Sequence, residues 1–346
     1  MATPRIGLDL KHEGRRFQLS GRDMIELAVA AEEAGIESAW TNEDIGFDAF
    51  AALSAMAQHT SRIRLGTAIV NVYNRSAMQL AMGVATLDEL SGGRAILGLS
   101  IGHHPWNDLG HGIPLEAPLA RLREYVTFIR KALGGQPFRH DGALFRGVDT
   151  QLAFDPVRPG VPIFIAGERS RILQLAGEVA DGLLINVVSP EYIADFAAER
   201  FLSSARAAGR DPDRLELTAL VTCTVDDDPD AALAGARRMV VHRLRHSLKM
   251  LDTQPAQRHD EIRRLHALIQ AGERDRAAEE VSEELARSIV VAGAPVDIAA
   301  GLERYLAAGC TRVIAVAYPR ARTDVARLIS ALRPLLAAGP HPAHSL

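Results

Sequence analysis

The chain has 346 residues, 47% apolar and 24% charged, enough to bury one large core or two ordinary ones, which excludes intrinsic disorder as its main state. Lys plus Arg number 39 against 43 Asp plus Glu, a net charge of −4, so no electrostatic footprint for nucleic acid or anionic membrane exists. Two isolated cysteines, Cys223 and Cys310, exclude a disulfide scaffold, no apolar run approaches the roughly 20 residues that span a bilayer, and the first five residues lack an apolar signal region. The expectation is a cytoplasmic protein.

In chain order, β-type runs occur at 6–10, 38–41, 63–69, 95–100, 161–166, 183–186, 215–222 and 312–317. Segments of helical period alternate with them, as in Met24, Leu27, Ala28 and Ala31, or Leu80, Val84 and Leu87. The strands are near-continuous apolar runs, the pattern of a parallel sheet covered on both faces. Gly35 and the Ser91-Gly92-Gly93 stretch close the first and third helices, where a left-handed residue ends a helix at little cost. Eight such units predict an α/β fold, a single (β/α)8 TIM barrel. Three insertions are expected on it: 101–119, rich in Gly, His and Pro; a hairpin over 138–154 turning at Asp141-Gly142; and a charged helical insertion, 226–292, between strands seven and eight. The last is read as solvated helices with a packing face, or as a lid or subunit interface. One more amphipathic helix, 323–336, precedes the tail at 339–346, and the domain is expected to span 1–338 with no linker dividing it.

Chemistry in such a barrel belongs at the C-terminal ends of the strands. Polar residues there are Asp9; Asn42, Glu43 and Asp44; Asn71; Ser100, His103 and His104; Gly167, Glu168, Arg169 and Ser170; Asn186; Thr222; and Tyr318. Asp9 reads either as a half-buried carboxyl held protonated for general acid work or as a carboxylate bonded to neighbouring backbone. Glu43 and Asp44 are adjacent acids whose side chains leave an extended strand end in different directions, so one is expected to face the pocket. His103, His104 and His111 match no standard zinc spacing, and no metal is expected. The turn from Gly167 to Ser170 leads from a strand into a helix and aims backbone N–H groups at the mouth, a geometry that binds phosphate. No Gly-x-Gly-x-x-Gly follows strand one, and neither a Walker lysine loop nor a Gly-x-Ser-x-Gly elbow occurs.

Four stretches resemble the bacterial luciferase-like superfamily: Glu33-Ala34-Gly35-Ile36-Glu37-Ser38-Ala39-Trp40, Ser61-Arg62-Ile63-Arg64-Leu65-Gly66-Thr67, Ala85-Thr86-Leu87-Asp88-Glu89-Leu90-Ser91-Gly92-Gly93-Arg94 and Leu175-Ala176-Gly177-Glu178-Val179-Ala180-Asp181-Gly182. Within it, Asn107-Asp108-Leu109-Gly110 with the helix at 119–133, and the 176–186 stretch, are similar to the coenzyme F420-dependent oxidoreductases, especially methylenetetrahydromethanopterin reductases. The resemblance implies a barrel that carries the deazaflavin at its mouth and passes a hydride between C5 and a small organic substrate, such as a methylene-tetrahydropterin. It also implies a bulge in strand three with a cis peptide at Ala68-Ile69 behind the ring.

Carried over, Asp9 matches a glutamate used as proton donor, one methylene longer, and Glu43 matches an acid beside the ring; these two are the catalytic candidates. Asp44 stands where many members have histidine, and Arg169-Ser170 where many have Gly-Pro. The implied cofactor contacts are Asp44, Ala68, Ile69, Asn71, Ser100, Gly102, Gly167, Glu168, Arg169, Ser170 and Asn186. His103, His104, Trp106 and Tyr318 are the substrate-side candidates. FMN, as in the monooxygenases, and NAD(P)H, as in flavin-free reductases, are the alternative cofactors. A non-catalytic flavin-binding barrel is the alternative of a different class. Family habit implies a homodimer or higher homo-oligomer.

Overall fold

The structure, a computed structural model, describes residues 5–11, 19–43, 46–102, 110–245 and 247–336. Its strands are β1 (Arg5–Asp9), β2 (Ser38–Thr41), β3 (Arg64–Thr67), β4 (Val70–Asn71), β5 (Ala95–Ser100), β6 (Phe138–Asp141), β7 (Arg146–Thr150), β8 (Ile163–Ala166), β9 (Gly182–Asn186), β10 (Glu216–Val225), β11 (Val290–Gly293) and β12 (Arg312–Ala317). Parallel pairing runs β12, β1, β2, β3, β5, β8, β9, β10 and back to β12, which closes an eight-stranded TIM barrel. The antiparallel pair β6–β7 is the hairpin expected after the fourth helix, and Glu124 of helix Pro118–Leu133 accepts from the Ala143 and Leu144 amides of its turn at 2.8 and 3.0 Å.

The continuous apolar runs arise because each strand serves two cores. Alternate residues such as Ile6, Leu8, Leu65, Leu97, Ile163, Leu183, Leu217 and Val313 pack outward against the helices. Their neighbours Trp40, Ile96, Phe164, Leu184 and Ile314 form a separate cluster inside the barrel. Trp40 fills the axis only because β3 carries Gly66 beside it: a Cβ there would lie 2.2 Å from the indole. Helices Gly21–Ala34 and Ala77–Ser91 end on left-handed Gly35 and Gly92, as their sequences predict, and start with capping boxes at Ser20 and Ser76.

The bottom of the barrel is sealed by charge. Arg312 is wholly buried over Trp40 and Phe164, with its guanidinium 5.7 and 6.0 Å from their ring centres. It grips Glu37 bidentately at 2.9 and 3.0 Å and contacts Glu216 at 2.7 Å, while Arg64 lies 3.5 Å from Glu37.

The large insertion differs from expectation at its end. Helices Pro229–Leu244, His259–Gln270, Arg274–Glu280 and Glu283–Ile289 are followed by a ninth parallel strand, β11, which pairs with the upper half of β10 beyond the reach of β9. Met239, Val240, Leu244, Ile262, Leu265 and Leu285 give the insertion a hydrophobic core of its own. Among the described residues no helix is long and apolar enough to cross a membrane.

Candidate active site

Alternation along the strands decides what the mouth presents. In β1 the outward residues are Ile6 and Leu8, so Asp9 faces inward; by the same parity β2 points Trp40 inward. Beyond the end of β2, Glu43 turns toward helix Ala49–Ala57 and Arg75.

The third strand supplies the floor of the mouth. β3 pairs with β5 at Gly66↔Ile96, and pairing resumes in β4 at Val70↔Leu99, so three residues (67–69) oppose two. This is the expected bulge. Thr67 repairs the broken ladder: its hydroxyl accepts from the Gly98 amide at 2.8 Å and donates to the Gly98 carbonyl at 2.9 Å. The approach requires glycine, because a Cβ at Gly98 would lie 2.0 Å from the Thr67 carbonyl oxygen. The Ala68-Ile69 bond is cis, as the resemblance implied. The bulge is tied to β2 by Ala68 N–H to Thr41 at 2.7 Å and by Glu43 N–H to the Ile69 carbonyl at 2.9 Å. Ala68, Ile69 and Ala166 pack on the inner cluster and remain half-buried, an apolar seat above Trp40 and Phe164.

Both catalytic candidates are ion-paired. Asp9, 3% exposed, is held by Arg320, also 3% exposed, which follows the cis Tyr318-Pro319 bond. In place of the neighbouring-backbone bond that one of the two sequence readings gives Asp9, the structure pairs its carboxyl group with the buried Arg320 guanidinium. Its second oxygen, Oδ1, is buried with no hydrogen-bond partner among the described residues. Glu43 has neither oxygen spare: Arg75 donates to both at 2.8 Å and the Ala49 amide donates to Oε2 at 3.1 Å. Arg75 also pairs with Asp48. Glu43 thus ties the bulge and the second loop to helix Ala49–Ala57.

The remaining candidates divide. Ser100 donates to the Ala166 carbonyl at 3.1 Å, joining the ends of β5 and β8. Asn71 is buried and accepts from the Tyr73 amide at 2.9 Å within its own turn. Gly102 has a left-handed φ of 70°, and Asn186, ending β9, is half-buried. Asp44, His103, His104 and Trp106 lie outside the described residues. His111 accepts from Asn74 at 3.1 Å, with the imidazole acting as acceptor, and no three metal-ligating side chains converge among the described residues.

At the fifth strand's turn, helix Ser170–Val179 starts without a side-chain cap, leaving its first amides to other acceptors. Arg169 is engaged with Asp252 of the insertion at 2.8 Å and adds no free charge there. Burial pushes the Glu168 carboxyl above its ordinary range, against the opposing charges of Lys249 and Arg243. Tyr192 donates to the Glu168 carbonyl at 2.6 Å, and its own hydroxyl is pushed up to about 12, first by burial and then by Glu168 and Asp252. Tyr318 lies 6.2 Å from the ring of His242, on insertion helix Pro229–Leu244.

Sequence reasoning missed Arg320, Arg75, Tyr192 and Val187. Val187, just past β9, has φ 57°, a conformation β-branched residues rarely adopt. Arg320 carried a signal in retrospect, three residues beyond the last strand, but nothing in one chain points it at Asp9.

Comparison with known proteins agrees with this geometry. The chain is 35% identical to 5,10-methylenetetrahydromethanopterin reductase of Methanolobus tindarius, over 62% of its own length and 64%, under two thirds, of that protein. It is 29% identical to the reductase of the same name from Archaeoglobus fulgidus, over 82% of this chain and 86% of the other. The structure of the coenzyme F420-dependent tetrahydromethanopterin reductase from Methanopyrus kandleri superposes with a TM-score of 0.84 at 26% identity, covering 96% of this chain and 98% of that one. Residues 1–312 match the luciferase-like monooxygenase family, and the chain belongs to it.

Proposed function

We propose that the chain is a coenzyme F420-dependent oxidoreductase that exchanges a hydride with a small organic substrate, a methylene-tetrahydropterin being the first candidate. In this reading it works in the cytoplasm as a homodimer or larger homo-oligomer. The observation that carries it is the bulged third strand at the mouth of a barrel that follows the Methanopyrus reductase over nearly its whole length.

The residues present fit such a cofactor. Ala68, Ile69 and Ala166 offer a flat apolar seat to a ring system, and the uncapped start of helix Ser170–Val179, with Gly167 before it, offers backbone donors to a phosphate. A bound deazaflavin supplies a two-electron hydride carrier. The chain supplies orientation and dryness. The inner cluster beneath the seat excludes water, and fixing donor and acceptor carbons against one rigid strand bulge converts an encounter into a positioned step. Glu43, locked by Arg75, holds the second loop against that bulge. Asp9 keeps one acceptor oxygen at the mouth.

Titration of the purified chain with F420, FMN and the nicotinamides in one buffer tests the reading. Micromolar affinity for F420 alone, followed by F420-linked turnover of methylene-tetrahydromethanopterin, is the expected result. Preference for FMN with substrate-coupled oxygen consumption would replace it with the monooxygenase activity after which the family is named, and preference for NAD(P)H with flavin-free reduction.

A further inference from the structure

Asp9 and Arg320 meet because β1 and β12 pair in register, from Arg5↔Arg312 to Leu8↔Ala315, which brings their upper ends side by side at the mouth. Both side chains are almost wholly buried, and the guanidinium engages Oδ2 of the carboxylate. Oδ1, on the same carboxylate, faces no donor among the described residues. Buried polar atoms are nearly always satisfied, so an exception at the mouth of a barrel points to a ligand. Resting on the F420 reading above, we propose that Arg320 is a positioning residue. It fixes Asp9 so that Oδ1 accepts a hydrogen bond from substrate, and the pair selects substrates with a neutral N–H or O–H donor beside the reacting carbon.

Charge narrows the class. Arg320 already neutralises Asp9, so a substrate carboxylate or phosphate gains no net attraction at this point and meets a bare carboxylate oxygen. A neutral donor satisfies that oxygen at no such cost. Two sources share this chemistry in the direction that gives a hydride to F420, the amine N–H of a methyl-tetrahydropterin, whose proton leaves as the methylene bridge closes, and the hydroxyl of a secondary alcohol, and both belong in the test.

The variants are Asp9→Asn, Arg320→Met, Arg320→Lys and the double Asp9→Asn/Arg320→Met, assayed with methyl-tetrahydromethanopterin and with 2-propanol, both in the direction that reduces F420. F420 affinity is followed by fluorescence, and tetrahydromethanopterin binding to the cofactor-free chain by calorimetry. F420 affinity should stay within about twofold, while kcat/KM for the accepted donor falls roughly 10- to 100-fold in Asp9→Asn and in Arg320→Met, the range for losing a hydrogen bond to a charged group. Arg320→Lys should recover part of the loss, and the double variant should be no worse than Asp9→Asn. Losses that multiply in the double variant, or wild-type kinetics in Arg320→Met, would overturn the proposal. Should Arg320→Met fail to fold with Asp9 left charged, the double variant, from which both charges are gone, decides against Asp9→Asn alone. A wild-type chain that does not bind F420 refutes the F420 reading only. The pair is then judged by calorimetry: tenfold weaker pterin binding in both single variants upholds it, and unchanged binding, or a wild-type chain that takes neither donor, overturns it.

Discussion

Glu37→Gln would test the seal at the bottom of the barrel. Burial by itself raises the Glu37 carboxyl, but the charges of Arg312 and Arg64 outweigh it and bring it from 4.5 to about 2. A carboxyl whose folded value lies below its unfolded one contributes stability above the unfolded value, and that contribution is lost as pH falls from 4.5 through about 2. The interval corresponds to about 3 kcal/mol, and with a side-chain exposure of 13% solvent screens little of it. At pH 7 the substitution leaves Arg312 buried with Glu216 as its remaining close partner, so the unfolding free energy should fall by about 3 to 5 kcal/mol. Urea unfolding of both proteins at pH 7, 5, 4 and 3 is the assay. The gap between them should hold from pH 7 to 5 and narrow below. A gap that stays constant down to pH 3, or no gap at pH 7, would refute the argument. Turnover of the folded variant should match wild type, because this network lies at the end opposite the mouth.

Thr67→Val removes the hydroxyl that serves both backbone groups of Gly98; urea unfolding should show a loss of about 2 to 4 kcal/mol, and no loss would mean the bulge is held otherwise. Glu43→Gln should lower kcat less than about tenfold and keep the shape of the pH profile, the outcome expected of a side chain that Arg75 grips through both oxygens as an anchor. Loss of one limb of that profile would restore Glu43 to the chemistry. Arg169→Ala breaks an exposed pair with Asp252, so stability should change by under about 1 kcal/mol. F420 affinity should change less than threefold if backbone amides carry the phosphate.

The strands and their order were legible because a sheet buried on both faces writes itself as apolar runs, and glycines such as Gly35 and Gly92 mark where helices stop. Strand three reads in the sequence as one apolar run, 63–69, and only the resemblance implies its interruption; hydropathy does not register that Thr67 replaces a main-chain partner. β11 is not separable from the insertion in the sequence because Val290–Gly293 is short and follows helix Glu283–Ile289 without a break. At the mouth, the strand-end polar residues were recognisable by position. Their states were not, since Arg320 and Arg75 reach Asp9 and Glu43 across 311 and 32 residues of chain, and a single sequence holds no record of such pairings.

β10 carries a consequence for how the barrel can be altered. Its lower half pairs with β9 and its upper half with β11, and the Asp226 amide, where the chain leaves the barrel, donates to the carbonyl of Gly293, where it comes back, at 3.0 Å. Departure and return are clasped together, and what lies between folds around its own apolar centre. The arrangement is a cassette: its two ends are fastened to the same strand edge, and in this structure it forms one wall beside the mouth. Exchange between relatives at that clasp would replace the wall while leaving Asp9, the bulge and the seal at the base where they are.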